Sequence, residues 1–295
     1  MQAGDIIREV DGVAVPDNGG IMRLLRGRSR ELVAVTIERA SGERFTERRV
    51  ALTTEQELEL ANRRWVERRR EMVASKSCGR IGYVYVPAMN GASYRKVVAE
   101  IFGRHINAHA LIVDVRFNGG GNLHNELVTL LSGKPYMTFT SSRGGPSFDE
   151  PGDRWSKPSA VVMNASSYSD ASVFPQVYRD LKIGPLVGDP VAGTGTAVIW
   201  VPSNLVPGLV YGVPVVPIRR LDGRLMENAD VIPDVPAPSD PTAWARGEDP
   251  QIEAAVAALM PSVRAPCAVA DREIRRGDQL AGANRLVAPA TGTTN

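Results

Sequence analysis

Two apolar runs, each breaking into a turn of small residues and then into a helix-like stretch, constrain this chain more than any other feature. Residues 110–116 lead through Asn118, Gly119, Gly120 and Gly121 into a helical pattern over 123–131. Residues 159–163 lead through the turn 164–172 into a second helical pattern over 173–181. Short continuous apolar runs bounded by turn residues read as buried strands. Strands alternating with helices then point to an α/β fold. The chain is long enough for one, since 295 residues at 43% hydrophobic content suffice for a core of about 150 to 200 residues with a smaller module beside it.

The two turns also suggest a chemistry. Acyl transfer needs a nucleophile and N–H donors aimed where the carbonyl oxygen becomes an oxyanion, and glycine lets donors approach with no side chain in the way. Ser169 supplies a hydroxyl on one turn, and Gly119 to Gly121 supply bare amides on the other. Other readings stand beside this one. A Gly-rich strand-to-helix turn also serves as a phosphate cradle or simply as a tight turn, although no Gly-Lys-Ser/Thr follows these glycines. Ser169 could instead cap the following helix, and the Asp170 side chain could cap it or serve specificity.

Elsewhere, 4–12 alternates into an Asp-Gly turn, 20–25 reads as a short helix, and 32–39 reads as a strand, which together predict a small β-rich module. Residues 54–75 form a strong helical pattern whose arginines, interleaved with Glu, read as a solvated face. A strand is expected at 79–87, a helix at 93–106, and further strands near 186–188, 198–202 and 213–217, with the loop Gly193 to Thr196 between. Residues 261–295 lose apolar periodicity and read as a disordered tail. The 35 basic residues nearly balance the 33 acidic ones, which gives no sign of a nucleic-acid or membrane partner. No signal-peptide pattern and no long apolar window occurs, so a cytoplasmic location is expected. Cys78 and Cys267 lie far apart, indicating neither a disulfide framework nor a zinc site, and no cofactor or metal is expected.

Gly4 to Ile7 with Asp11 and Gly12 look like the later half of a PDZ domain. The stretch Asp114 to Gly121, the turn Asn164 to Asp170, Met226-Glu227-Asn228 and Gly247 to Gln251 then resemble the tail-specific, or C-terminal processing, serine peptidases of the tricorn type. The likeness keeps the family's order over roughly residues 2–260. It implies a partial PDZ-like domain at 1–53, a linking helix at 54–78 and a crotonase-like (ClpP-like) spiral α/β peptidase core at 79–260. It further implies that Ser169 is the nucleophile, that the amides of Gly121 and Asp170 form the oxyanion hole, and that Glu227 hydrogen-bonds the charge-relay groups. Peptide substrates and homo-oligomers are implied partners.

The general base is the gap in this pattern. Tail-specific relatives use a lysine about two dozen residues after the serine, where this chain has Thr194, and no lysine follows Lys182. Tricorn-type enzymes take a histidine from a segment before the PDZ domain, and this sequence starts inside that domain. His105 and His109 are spaced to share a helix face, and His124, three residues after Gly121, is the candidate for a substitute base. Three functions therefore compete: a serine peptidase acting on short or unfolded peptides, a catalytically silent binding remnant of the same fold, and a crotonase-like acyl-CoA enzyme. The loop 127–148 has no acidic residue, and Tyr136, Met137 and Phe139 in it predict an apolar substrate preference.

Overall fold

In the stretch Met1–Glu67, the first of two units into which the chain divides, alternation builds a small antiparallel sheet. Its strands β1 (Ile6–Val10), β2 (Val13–Ala14), β3 (Leu32–Glu38) and β4 (Arg44–Val50) lie in the order β2-β1-β3-β4, with α1 (Ile21–Leu25) connecting β2 to β3. In β3 the buried residues Val33, Val35 and Ile37 alternate with more accessible ones, the period-2 signature of a sheet with one covered face. Asp11 and Gly12 both have positive φ (49° and 79°), as a two-residue hairpin turn between β1 and β2 requires. Strand β4 leaves no mark in the apolar pattern, because its segment carries three arginines and pairs only with β3. Helix α2 (Thr54–Lys76) starts with a reciprocal cap: the Gln56 amide donates to Thr53 Oγ1, and the Thr53 amide donates to Gln56 Oε1.

The second unit begins at Arg68. Its elements in chain order are β5 (Ile81–Tyr85), α3 (Gly91–Ala99), β6 (Ala110–Asp114), α4 (His124–Ser132), β7 (Met137–Phe139), β8 (Phe148–Glu150), β9 (Ser159–Met163) and α5 (Asp170–Asp180). After α5 come β10 (Leu186–Gly188), β11 (Thr196–Pro202), β12 (Val210–Pro217), β13 (Val235–Pro236), α6 (Pro241–Ala245) and α7 (Pro250–Leu259). The computed structural model describes residues 1, 2 and 4–263. The expected tail therefore lies, from residue 264 on, outside the described residues.

Five strands make a parallel sheet in the order β13-β10-β9-β6-β5. Every residue of β5, β6, β9 and β10 is buried, which explains why these runs are continuously apolar instead of alternating. Leu111, Val113, Val161 and Met163 pack in one cluster with Val97, Leu127, Phe174 and Tyr178 from α3, α4 and α5. Helix α7 lies against β6, β9 and β10. The α/β core expected from the sequence is thus present. The helix expected over 93–106 is divided, with α3 ending at Ala99 and a wider π-helical turn at Glu100–Arg104. Cys78 is disulfide-bonded, contrary to the expectation from two distant cysteines. Among the described residues no helix is long and apolar enough to cross a membrane.

Register in the parallel sheet brings the two small-residue turns together. Strands β6 and β9 are neighbours, Asp114 opposite Val162, so the turns that leave them emerge side by side at their carboxyl ends, where open parallel sheets hold their sites.

Candidate active site

The two turns predicted from the sequence are cross-linked. Tyr168 N donates to the Asn118 carbonyl at 2.9 Å, Phe117 N to Asn164 Oδ1 at 3.1 Å, and Ser167 Oγ to the Val115 carbonyl at 3.0 Å. Asn118 is fully buried, and its amide group donates to the Val86 carbonyl while its Oδ1 accepts from Gly120 N. The glycines permit contact that no other residue would. A Cβ on Gly120 would lie 2.6 Å from Ser169 Cβ and 3.0 Å from Asp170 N, and one on Gly121 would lie 2.1 Å from the Met89 carbonyl oxygen.

Ser169 ends the strand-to-helix turn with φ 55° and ψ −122°, a left-handed value that a side chain adopts only under constraint from its surroundings. Its amide donates to Thr194 Oγ1 at 2.8 Å, and Thr194 Oγ1 also lies 3.2 Å from Ser172 Oγ. Thr194 therefore braces the serine's backbone. Ser169 makes no side-chain cap to α5, so the capping role that the sequence leaves open to it does not hold in this geometry. The Gly121 and Asp170 amides have no hydrogen-bond partner among the described residues.

The Asp170 carboxylate, 5% exposed, turns away from its own helix and caps the start of α4. It accepts from Leu123 N at 2.6 Å, His124 N at 3.1 Å and His124 Nδ1 at 2.5 Å. His105 Nε2 lies 3.1 Å from the Tyr83 carbonyl, and burial lowers its pKa from the ordinary histidine value.

Ser169, the three glycines, Thr194 and Glu227 line one cleft of about 870 Å³ together with Val198, Trp200, Gly212 and Pro214 of the β11–β12 hairpin. His124, held by Asp170, does not line it. Glu227 arrives there because Gly193 and Gly195 lie flat on its segment. A Cβ on Gly193 would meet the Ala229 carbonyl oxygen at 2.1 Å, and one on Gly195 would meet Met226 Cβ at 2.2 Å. The Glu227 carboxylate has no partner among the described residues, and none of the described residues lining the cleft is a histidine or lysine. The apolar wall is supplied by β11 and β12. Phe139 and Phe148, stacked at 5.1 Å on the β7–β8 hairpin, line none of it. Sequence reasoning missed Thr194 as a brace and the hairpin as a wall. The glycine-threonine spacing of 193–196 was the one available signal for the former.

Residues 80–237 match the sequence profile of peptidase family S41. Tricorn protease homolog 1 of Streptomyces coelicolor is 32% identical over 260 residues, covering 87% of this chain and 24% of the relative. The tricorn protease of Thermoplasma acidophilum is 28% identical over 263 residues, covering 88% and 24%. The crystal structure of the tricorn protease superposes with a TM-score of 0.75 at 27% identity, over 89% of this chain and 25% of that one. The chain thus spans about a quarter of the length of these relatives.

Proposed function

The chain belongs to peptidase family S41, and from that premise we propose that it is a serine-type peptidase cleaving short or unfolded peptides through an acyl-enzyme on Ser169. The observation that carries the reading is a constrained serine on a turn packed against Gly120, beside two amides, Gly121 and Asp170, that have no partner among the described residues. In the proposed reaction Ser169 Oγ loses its proton to a base and attacks the peptide carbonyl carbon, while the two amides receive the negative oxygen. Collapse expels the amine, which takes up a proton, and water then hydrolyses the ester to release the acid and restore the hydroxyl. One such amide donor is typically worth about 10²–10³ in rate. The base is proposed to be a histidine on a segment outside those that line the cleft, with Glu227 orienting it. Homo-oligomerisation belongs to the same proposal.

A second reading, a catalytically silent peptide-binding protein, is favoured by one observation: no histidine or lysine stands among the described residues lining the cleft. A fluorophosphonate probe followed by mass spectrometry tests the peptidase. The expected result is an adduct on Ser169 that forms faster when a histidine-bearing segment is added in trans, with peptide hydrolysis appearing under the same conditions. An unlabelled Ser169 with and without that segment overturns the proposal. Hydrolysis abolished by Ser169→Ala excludes the silent reading.

A further inference from the structure

We propose that the cleft-facing side of the β11–β12 hairpin is the subsite that selects substrate, and that it takes an aromatic or branched aliphatic side chain from within two residues of the bond to be cut. The proposal rests on the peptidase reading and adds a substrate class to it. Trp200 pairs directly with Gly212, and Val198 with Pro214, so all four stand on one face of the hairpin. That face borders the same cleft as Ser169. A Cβ on Gly212 would lie 3.4 Å from both Trp200 Cζ3 and Val198 Cγ2. The indole and the isopropyl group therefore lean over bare backbone and form, with Pro214, one apolar surface.

This surface is open to solvent, with Trp200 70% and Val198 40% exposed. An apolar side chain laid on it removes apolar area from water on both partners, and an aromatic ring gains stacking geometry with the indole as well. Charged side chains have less to gain. Among the described residues Glu227 is the one charged group in the cleft lining, so an acidic substrate side chain meets repulsion. A basic one must compete with the base that Glu227 is proposed to orient. The tryptophan also sits where a flexible lysine or glutamate stem would give up rotamer freedom without a partner for its head.

The test uses dipeptide boronic acids, which add reversibly to a serine hydroxyl, carrying Phe, Leu, Lys or Glu at either residue. Affinities are read by titration calorimetry on the full chain. Phe and Leu compounds are expected to bind at least about tenfold tighter than Lys and Glu compounds. Trp200→Ala is expected to remove most of that preference, and Trp200→Phe to keep it. Both changes fall at an exposed position, with circular dichroism to confirm the fold, and Val198→Ser provides an independent second variant. Equal affinities across the series, or a preference that survives both Trp200→Ala and Val198→Ser, overturn the subsite. If no boronate binds while fluorophosphonate still labels Ser169, the subsite is wrong and the peptidase reading stands. If neither reagent reacts, the peptidase reading fails and the subsite with it.

Discussion

Gly121 has φ 140°, and a Cβ there would lie 2.1 Å from the Met89 carbonyl oxygen, so any side chain must push the turn outward. Gly121→Ala is expected to cost about 1–3 kcal/mol of stability and, by displacing the amide, to slow fluorophosphonate labelling of Ser169 by about 10²–10³. Urea unfolding and labelling rates check the two effects separately, and labelling at the parent rate would remove Gly121 from the proposed oxyanion hole. A second prediction concerns the neighbouring turn. The Asp170 hydrogen bond raises the His124 pKa from its ordinary value, burial opposes the rise, and the charges of Asp170 and Glu126 add to it. Because the folded pKa is the higher one, protonated His124 stabilises the folded state. That contribution is complete below the unfolded value of about 6.5 and is lost as pH rises through the folded pKa. NMR titration of the ring protons should give a midpoint above about 6.5 that falls in Asp170→Asn. A midpoint unchanged by that substitution would show that the pair does not couple. At this scale the turns that carry Ser169 and Gly121 were legible in the sequence, because strand-to-helix turns leave a local mark. The sequence could not disclose that the Asp170 carboxylate caps α4, a bond across 47 positions, nor that Thr194 braces Ser169 across 25.

Among the elements, the end of β6 is tied to the starts of α7 and the second unit by a buried ionic cluster. Arg116, fully buried, donates through Nη1 to both oxygens of Asp249 at 3.0 Å and through Nη2 to Asp114 at 2.7 Å. Arg69 Nε reaches Asp249 at 2.9 Å, and Asp249 Oδ1 also accepts from Ile252 N, capping α7. Tyr83 OH donates to Asp114 at 2.9 Å. Burial disfavours the charge on Arg116, but the Asp114 and Asp249 carboxylates outweigh it and raise its pKa. Burial also pushes the nearby Tyr85 hydroxyl up to about 12, aided by Asp114. Removing one carboxylate strands buried positive charge, so Asp249→Ala should cost about 3–5 kcal/mol. Urea unfolding followed by circular dichroism measures it, and a loss under about 1 kcal/mol would show that the cluster carries little of the fold. Asp114, Arg116 and Asp249 could be read in the sequence only as parts of a family likeness. Their partnership spans 133 residues, and no periodicity links charges that far apart. The buried strands were legible because continuous apolar runs mark them. Strand β4 was not, since an edge strand with most residues exposed needs no apolar pattern.

On the scale of the whole molecule, the two units have unequal means of holding themselves together. In the first, the buried apolar cluster consists of Val10, Val33, Val35 and Ile37, with Ile7, Leu24 and Phe45 among the partly covered residues around it. The second buries four complete strands and the inner faces of α3, α4 and α5. A domain of about 60 residues buries a smaller share of its surface than one of 150 or more and is correspondingly marginal. Multidomain chains also need not unfold in one step. Calorimetry is therefore expected to resolve two transitions, the smaller at lower temperature. Ile37→Ala, at a position with 0% exposure, should destabilise the first unit by about 2–5 kcal/mol and lower only the first transition. Ser169, Gly121, Glu227 and Trp200 all belong to the second unit, so fluorophosphonate labelling of Ser169 is expected to persist between the two transitions. A single transition that Ile37→Ala moves as a whole, with labelling lost at its onset, would mean that the serine's turn is held by cooperation across the entire chain and not by the parallel sheet alone.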